Sequence, residues 1–236
     1  MKILTDLHTH TTATPHAYST VTENAVSAKE KGLEAIAMTN HFGVGDAPHI
    51  WHFINIGAVP KEIHGVRVFR GAEVNILDLD GTIDMPEDVM SNLDIVIASI
   101  HRPVHQGFDG MDHTKAYLNV VENPYIDIIG HSGSPDWKYD YETVVKRAGE
   151  LGKMIEINAN TFHIRKGNVP NCREIALMCK KHGTRICVNS DAHYCESVGN
   201  VELPLKMLGE IDFPEELIAN RSLDALRSFM KRRKNL

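Results

Sequence analysis

The sequence predicts an α/β fold, a barrel of parallel strands wrapped by helices. Three observations carry this. Short apolar segments alternate with amphipathic ones along the 236 residues. The apolar segments are mostly continuous, which means burial on both faces and hence a parallel sheet. About seven such segments can be counted, and that number favours a closed (β/α) barrel over a doubly wound open sheet, although periodicity alone does not separate the two.

The elements follow in order. "KILTDLH" reads as the first strand. "TVTENAVSAKEKG" reads as a helix with Thr20 or Thr22 near its cap and Gly32 ending it. "LEAIAMTNH" is a buried strand. "VRVFRGAEVNI" and "LDLDGTI" read as two strands, with a turn at Asp80 and Gly81. "LDIVIASIH" is a strand, followed by the helix "TKAYLNVVEN". "YIDIIGH" and "YETVVKRAGELG" repeat the pair, as do "KMIEIN" and "NCREIALMCKKHG". "TRICVNSDAH" is the last clear strand, and two helical stretches close the chain. No linker or low-complexity segment divides residues 1–236, so one domain is expected.

Composition excludes several classes. No apolar run approaches the roughly 20 residues of a membrane span. The start "MKILTDLHTH" lacks a long apolar segment, so no signal peptide is expected. Cys172, Cys179, Cys187 and Cys195 show no CxxC pairing and read as reduced thiols in a cytoplasmic protein. Cys172 and Cys179 lie seven apart on one helix, as core residues do. The net charge of -6 argues against a stable nucleic-acid partner. The basic "KRRK" at 231 to 234 reads as a solvated helix end.

The chain carries 14 histidines, and their placement is the informative fact. "DLHTH" ends the first strand with His8 and His10, and His16 follows in the next loop. "TNH" ends the second with His41. Glu73 lies along the third in "GAE". "SIH" gives His101, "IGH" gives His131, and "NSDAH" gives Asp191 and His193. In parallel α/β folds the loops after the strand C-termini converge on one face. Seven imidazoles and two carboxylates should therefore meet in one mouth. Nitrogen and carboxylate oxygen suit zinc, manganese or iron, and nine candidates fit two or three ions. A hydrogen-bonded strand end explains any one histidine. It does not explain why they fall at the same end of successive strands. His64 and His182 read as surface residues. His49, His52, His105, His113 and His163 fall in loops near the mouth.

In order along the chain, "DLHTH", "TNH", "GAEVN", "IH", "GHSG" and "NSDAH" resemble the motifs of the PHP family, named for polymerases and histidinol phosphatases. "HAYST", "DAPHIWHFIN" and "RKGNVPNCRE" look more specifically like the small YcdX-type phosphatases. The resemblance runs from about residue 5 to residue 220. It implies a distorted (β/α)7 barrel with a trinuclear centre of three divalent metal ions, zinc first, with manganese or iron as alternatives. His8, His10, Glu73 and Asp191 would hold the first ion. Glu73 would bridge to a second, held also by His101 and His131, and His16, His41 and His193 would hold the third. Glu73 and Asp191 are thereby the carboxylates on which catalysis depends. Asn40 stands where the family commonly has aspartate, a departure expected to weaken the third site through its neighbour His41.

Such a centre has an excess of positive charge, which favours a phosphate dianion and an activated water. The expected reaction is hydrolysis of a small-molecule phosphomonoester by a metal-bridging hydroxide. Ser132 and Ser190 lack a base of their own, so no covalent intermediate is expected. Arg165, with Lys166 beside it, should anchor the phosphate, and Arg102 next to His101 is the competing candidate. The alternatives are a phosphodiesterase or exonuclease, and a metal-binding module without turnover.

Overall fold

The computed structural model describes residues 1–43 and 47–234, with side chains to residue 230. The side chains of 231–234, expected to be solvated, lie outside that set. Strand β1 is Thr5–Thr9, helix α1 Val21–Glu30 and strand β2 Ala35–Met38. The short helix α2 (Trp51–Ile54) and strand β3 (Glu62–Ile63) lead into β4 (Val66–Asn75). Next come α3 (Glu87–Met90), β5 (Ile95–Ser99), α4 (Thr114–Glu122), β6 (Ile128–Ile129) and α5 (Tyr141–Glu150). Strand β7 (Met154–Asn158), α6 (Asn160–His163), α7 (Val169–His182) and β8 (Ile186–Asn189) follow. Helices α8 (Glu202–Glu210) and α9 (Leu223–Lys234) close the described chain.

Seven strands run parallel in the order β1-β2-β4-β5-β6-β7-β8, and β3 pairs antiparallel with the start of β4. The sheet curls until β8 meets β1, with a parallel bridge from Thr9 to Ala192. Between β1 and β8 the Asn220 side chain acts as a strand surrogate. It donates to Thr5 O (2.7 Å) and Val188 O (2.8 Å) and accepts from Val188 N (2.9 Å). The result is the nearly closed barrel that the count of apolar segments predicts.

Alternate strand residues face opposite sides. Ile95, Ile97, Ile128, Met154 and Cys187 pack inside the barrel with Leu7 and Phe69, where Leu226, Phe229 and Met230 of α9 join them. Val96, Ala98, Ile129, Ile155 and Val188 pack outside, under the helices. Both faces are therefore apolar, as the continuous runs require. The inward rows turn polar toward the C-terminal ends. Phe69 is followed by Gly71 and Glu73, and Met154 by Glu156 and Asn158. At Gly71 a Cβ would come 2.5 Å from the Ile95 carbonyl oxygen, so only glycine lets β5 approach there.

Helix ends match the sequence. Thr20 and Glu23 cap α1 reciprocally, and Gly183 ends α7 with φ +68°. Two expectations need correction. "LDLDGTI" is not a strand: it is a turn with one antiparallel bridge, Ile76 to Ile83, because Asp78 folds back to accept from the amides of Asp80 (2.9 Å) and Thr82 (3.1 Å). "YIDIIGH" shrinks to the two residues of β6, since Asp127 spends its carboxylate on Val96 N (2.9 Å). Among the described residues no helix is long and apolar enough to cross a membrane.

Candidate metal centre at the barrel mouth

The register of β1 against β2 shifts between Asp6 and Thr9. Such a bulge re-aims side chains. Leu7 packs in the barrel interior, while His8 and His10 both reach the polar mouth. Buried Asp6 fixes this turn, accepting from Ser190 Oγ (2.5 Å), Ser190 N (3.1 Å) and Gly199 N (2.8 Å). Ser190 is thus spent on Asp6, and Ser132 on the Tyr139 hydroxyl (2.7 Å).

Glu73 is the hub. Its carboxylate oxygens lie 3.0–3.5 Å from ring nitrogens of His8, His10, His41, His101 and His131. Asp191 Oδ1 lies 3.2 Å from His10 Nε2 and 3.6 Å from both His8 Nε2 and His193 Nδ1. The His16 ring sits 4.8 Å from that of His193 and 5.2 Å from that of His41. All nine residues singled out in the sequence are therefore gathered at one mouth. Two of them hold unusual backbone, Asp191 at φ +57° and His131 at φ +22°. That conformation is disfavoured for residues with a side chain, and such residues cluster at functional sites.

Donor atoms cluster in three overlapping groups, each within 4.8 Å: His8, His10 and Asp191; His41, Glu73 and His101; His10, His41 and His193. His41 Nδ1 lies 3.0 Å from Glu73 Oε2, so it belongs to a group with Glu73 as well as to one with His193. His8 Nε2, both His10 ring nitrogens and Glu73 Oε2 are buried yet lack hydrogen-bond geometry. Such atoms are costly unless a ligand satisfies them. Lone pairs aimed at common points, from imidazole and carboxylate, fit divalent metal ions.

The electrostatics are tightly coupled. Burial alone would lower the His8 imidazole, but Glu156, Glu73 and Asp191 outweigh it and hold it well above its ordinary value. Burial pushes His10 down to about 4 and His41 down to about 2. Burial would raise Glu73 and Asp191, yet His8 and its neighbours hold both well below the usual carboxylate range. Both carboxylates are therefore ionised at neutral pH.

Sequence reasoning missed the supports. Glu156 is buried, and its Oε1 faces His8 Nδ1 at 2.7 Å while Oε2 accepts from His131 N at 2.9 Å. With a metal bound, the contact would keep the His8 proton on Nδ1 and present Nε2 to the ion. Asn75 Oδ1 does the same for His101 Nδ1 at 2.7 Å. The available signal was a lone acid in the apolar run "KMIEIN". Asn40 corrects another expectation. It does not touch the His41 ring. Its Oδ1 accepts from Thr11 N (2.8 Å) and Thr14 Oγ (3.1 Å), and its Nδ2 meets His52 Nε2 at 3.2 Å. Asn40 therefore pins the loop that leads to His16.

The mouth opens into a cavity of about 460 Å³. Arg165 lines it, and its Nη2 donates to Asp191 Oδ2 at 2.7 Å. Arg102 and Lys166 are not brought there. Arg102 is 62% exposed, paired with Asp109 and Asp136 and stacked over Trp137. Two carboxylates hold it away from the cavity. Lys166 is exposed on a short 3₁₀ turn. Of the other histidines, His64 is exposed, and His182 pairs with Glu142 at 3.0 Å. His105 and His113 are buried against each other. Cys172, Cys179 and Cys187 are buried, and Cys195 partly so.

A parallel barrel with imidazoles and carboxylates converging at its C-terminal mouth defines a metal-dependent hydrolase. The family profile described as PHP domain matches residues 6–186, and the chain belongs to that family. Similar proteins include a probable phosphatase of Clostridium novyi, 46% identical over 98% of this chain and 96% of that one. Another, from Acetivibrio thermocellus, is 43% identical over 99% and 98%. Among solved structures, the histidinol phosphate phosphatase of Lactococcus lactis, complexed with zinc, L-histidinol and phosphate, aligns with TM-score 0.62 at 17% identity, over 94% of this chain and 98% of that one. A chain of an archaeal ribonuclease P with mature tRNA aligns with TM-score 0.60 at 15% identity, over 98% and 92%. At these identities the two structures speak to the fold alone. The protein is a metal-dependent phosphoester hydrolase, a phosphatase.

Proposed function

We propose that the protein hydrolyses small-molecule phosphomonoesters at a trinuclear centre. The carrying observation is the hub at Glu73, one buried carboxylate within 3.5 Å of five imidazoles. His8, His10, Glu73 and Asp191 would hold a first ion, Glu73, His101 and His131 a second, and His16, His41 and His193 a third. Zinc suits this donor set, as do manganese and iron. When bound, the ions supply Lewis acidity and a water activated near neutral pH.

The chain's own residues do the rest. Glu73 and Asp191, both ionised, spread negative charge between the sites. Glu156 and Asn75 orient His8 and His101. Arg165 presents a guanidinium at the cavity wall, and its Nε is buried without an acceptor. A phosphate oxygen in the cavity would pair with that guanidinium. The cavity volume suits a small molecule. The acidic chain is a poor match for a polyanion.

Purified protein should carry two to three transition-metal ions per chain, and chelation should abolish turnover of a nucleoside monophosphate. Glu73→Gln should lose both metal and rate. One ion or none in active protein would sink the trinuclear reading. Faster cleavage of a short oligonucleotide than of any monoester would overturn the substrate class.

A further inference from the structure

We infer that Tyr18, Ile164 and Tyr194 form the leaving-group subsite of the cavity and that it takes a planar aromatic group, aryl or heterocyclic; this rests on the monoesterase reading above. These side chains are 73%, 73% and 48% exposed, and all three line the one cavity. The floor of that cavity is polar, with Glu73, Asp191 and the imidazoles. Large apolar side chains held in water around a polar hole mark a surface that meets a ligand.

The chain path makes the rim a built feature. Tyr18 N donates to His193 O at 2.8 Å, and Cys195 N donates to Ser19 Oγ at 2.9 Å. The two tyrosine-bearing loops therefore run side by side. Tyr18 follows His16 by two residues and Tyr194 follows His193 directly, while the His16 and His193 rings stack at 4.8 Å. Both tyrosines line the same cavity as these two imidazoles. Ile164 directly precedes Arg165, whose guanidinium reaches Asp191. A phosphoryl group seated between Arg165 and the imidazoles would share the cavity with these three side chains, which are then within reach of its ester substituent.

The chemistry of the rim selects the substituent. It offers two ring faces and a branched aliphatic chain. Among the described residues lining the cavity, Arg165 is the single Arg or Lys, and Glu73 and Asp191 on the floor are the carboxylates. Asn160 is spent on the Asp191 carbonyl at 2.7 Å. The tyrosine hydroxyls and Ser197 can bond polar edges of a heterocycle, whereas an amine finds no rim counter-charge. A flat aromatic group can stack on tyrosine and exclude water from the floor.

The test pairs binding with turnover. The metal-replete protein is titrated with phenylphosphonate and with methylphosphonate, neither of which it can hydrolyse at the P–C bond. The parent should bind the phenyl compound roughly 5- to 150-fold more tightly, the range expected for aromatic stacking. In Tyr18→Ala/Tyr194→Ala that preference should fall toward unity, whereas Tyr18→Phe/Tyr194→Phe, which keeps both rings, should retain it. The kcat/KM ratio of 4-nitrophenyl phosphate to glycerol phosphate should follow the same pattern. Equal binding of the two phosphonates by the parent overturns the inference, as does a preference that survives the alanine pair. If the phosphonate pattern appears but neither ester is hydrolysed, the aromatic subsite stands and the monoesterase reading falls.

Discussion

Glu156 lies in a strand whose other residues are apolar or neutral, and its carboxylate holds His8 by Nδ1. Glu156→Gln keeps the shape and removes the charge. Loss of such an orienting partner typically costs about 10- to 100-fold in metal affinity. Competition with a chelator should read that loss, with the fold intact by circular dichroism. Arg165 stands on the other side of the site, where its guanidinium, paired with Asp191, would meet the phosphate. Arg165→Ala should keep bound metal and lower kcat/KM roughly 10- to 150-fold, the value of one charged hydrogen bond. Full activity in that variant would remove Arg165 from phosphate binding. At this scale the gathering of seven imidazoles and two carboxylates at one mouth was legible, because most of them fall at the C-terminal ends of successive apolar runs. Glu156 and Asn75 were not, because an acid or amide inside a strand reads as an exception until its partner across the barrel is known. Arg102 was read as a competitor from its neighbour in sequence, but adjacency does not say which way a side chain turns.

The loop from Thr11 to His16 shows how an element is held for function. It has no regular structure and depends on Asn40, which satisfies Thr11 and Thr14 together. Asn40→Ala removes these bonds, leaves buried partners unpaired and should cost roughly 1–3 kcal/mol. It should also release one metal ion more readily than the others, the one that would use His16, as stepwise dialysis can measure. Equal retention of all ions would separate Asn40 from that site. The helices were legible from their caps and the strands from their apolar runs. β6 and the "LDLDGTI" turn were not, because in each an aspartate side chain takes backbone amides that a ladder would otherwise use. An identical apolar pattern would have served a longer strand.

For the molecule as a whole, the barrel closes through the Asn220 carboxamide together with the Thr9–Ala192 bridge and the bond from Leu7 N to Asn189 Oδ1. Asn220 bonds to β1 and β8 at once, across separations of 215 and 32 residues. Asn220→Ala strands several buried backbone groups and should destabilise the protein by at least about 2 kcal/mol. Thermal unfolding should show the loss, and a parent-like melting temperature would mean the barrel closes without it. Closure was legible only as a strand count, since no local signal in "ANR" announces a seam. The seam also sets a schedule for synthesis. His8 and His10 leave the ribosome at the start, Asp191 and His193 near the end, and the residue that joins their strands later still. A nascent chain therefore exposes its first two imidazoles long before the partners that would share their metal exist. A complete site can form only after release of nearly the entire polypeptide, and a stop between residues 193 and 220 leaves a chain with all nine candidate ligands and without the carboxamide of the seam.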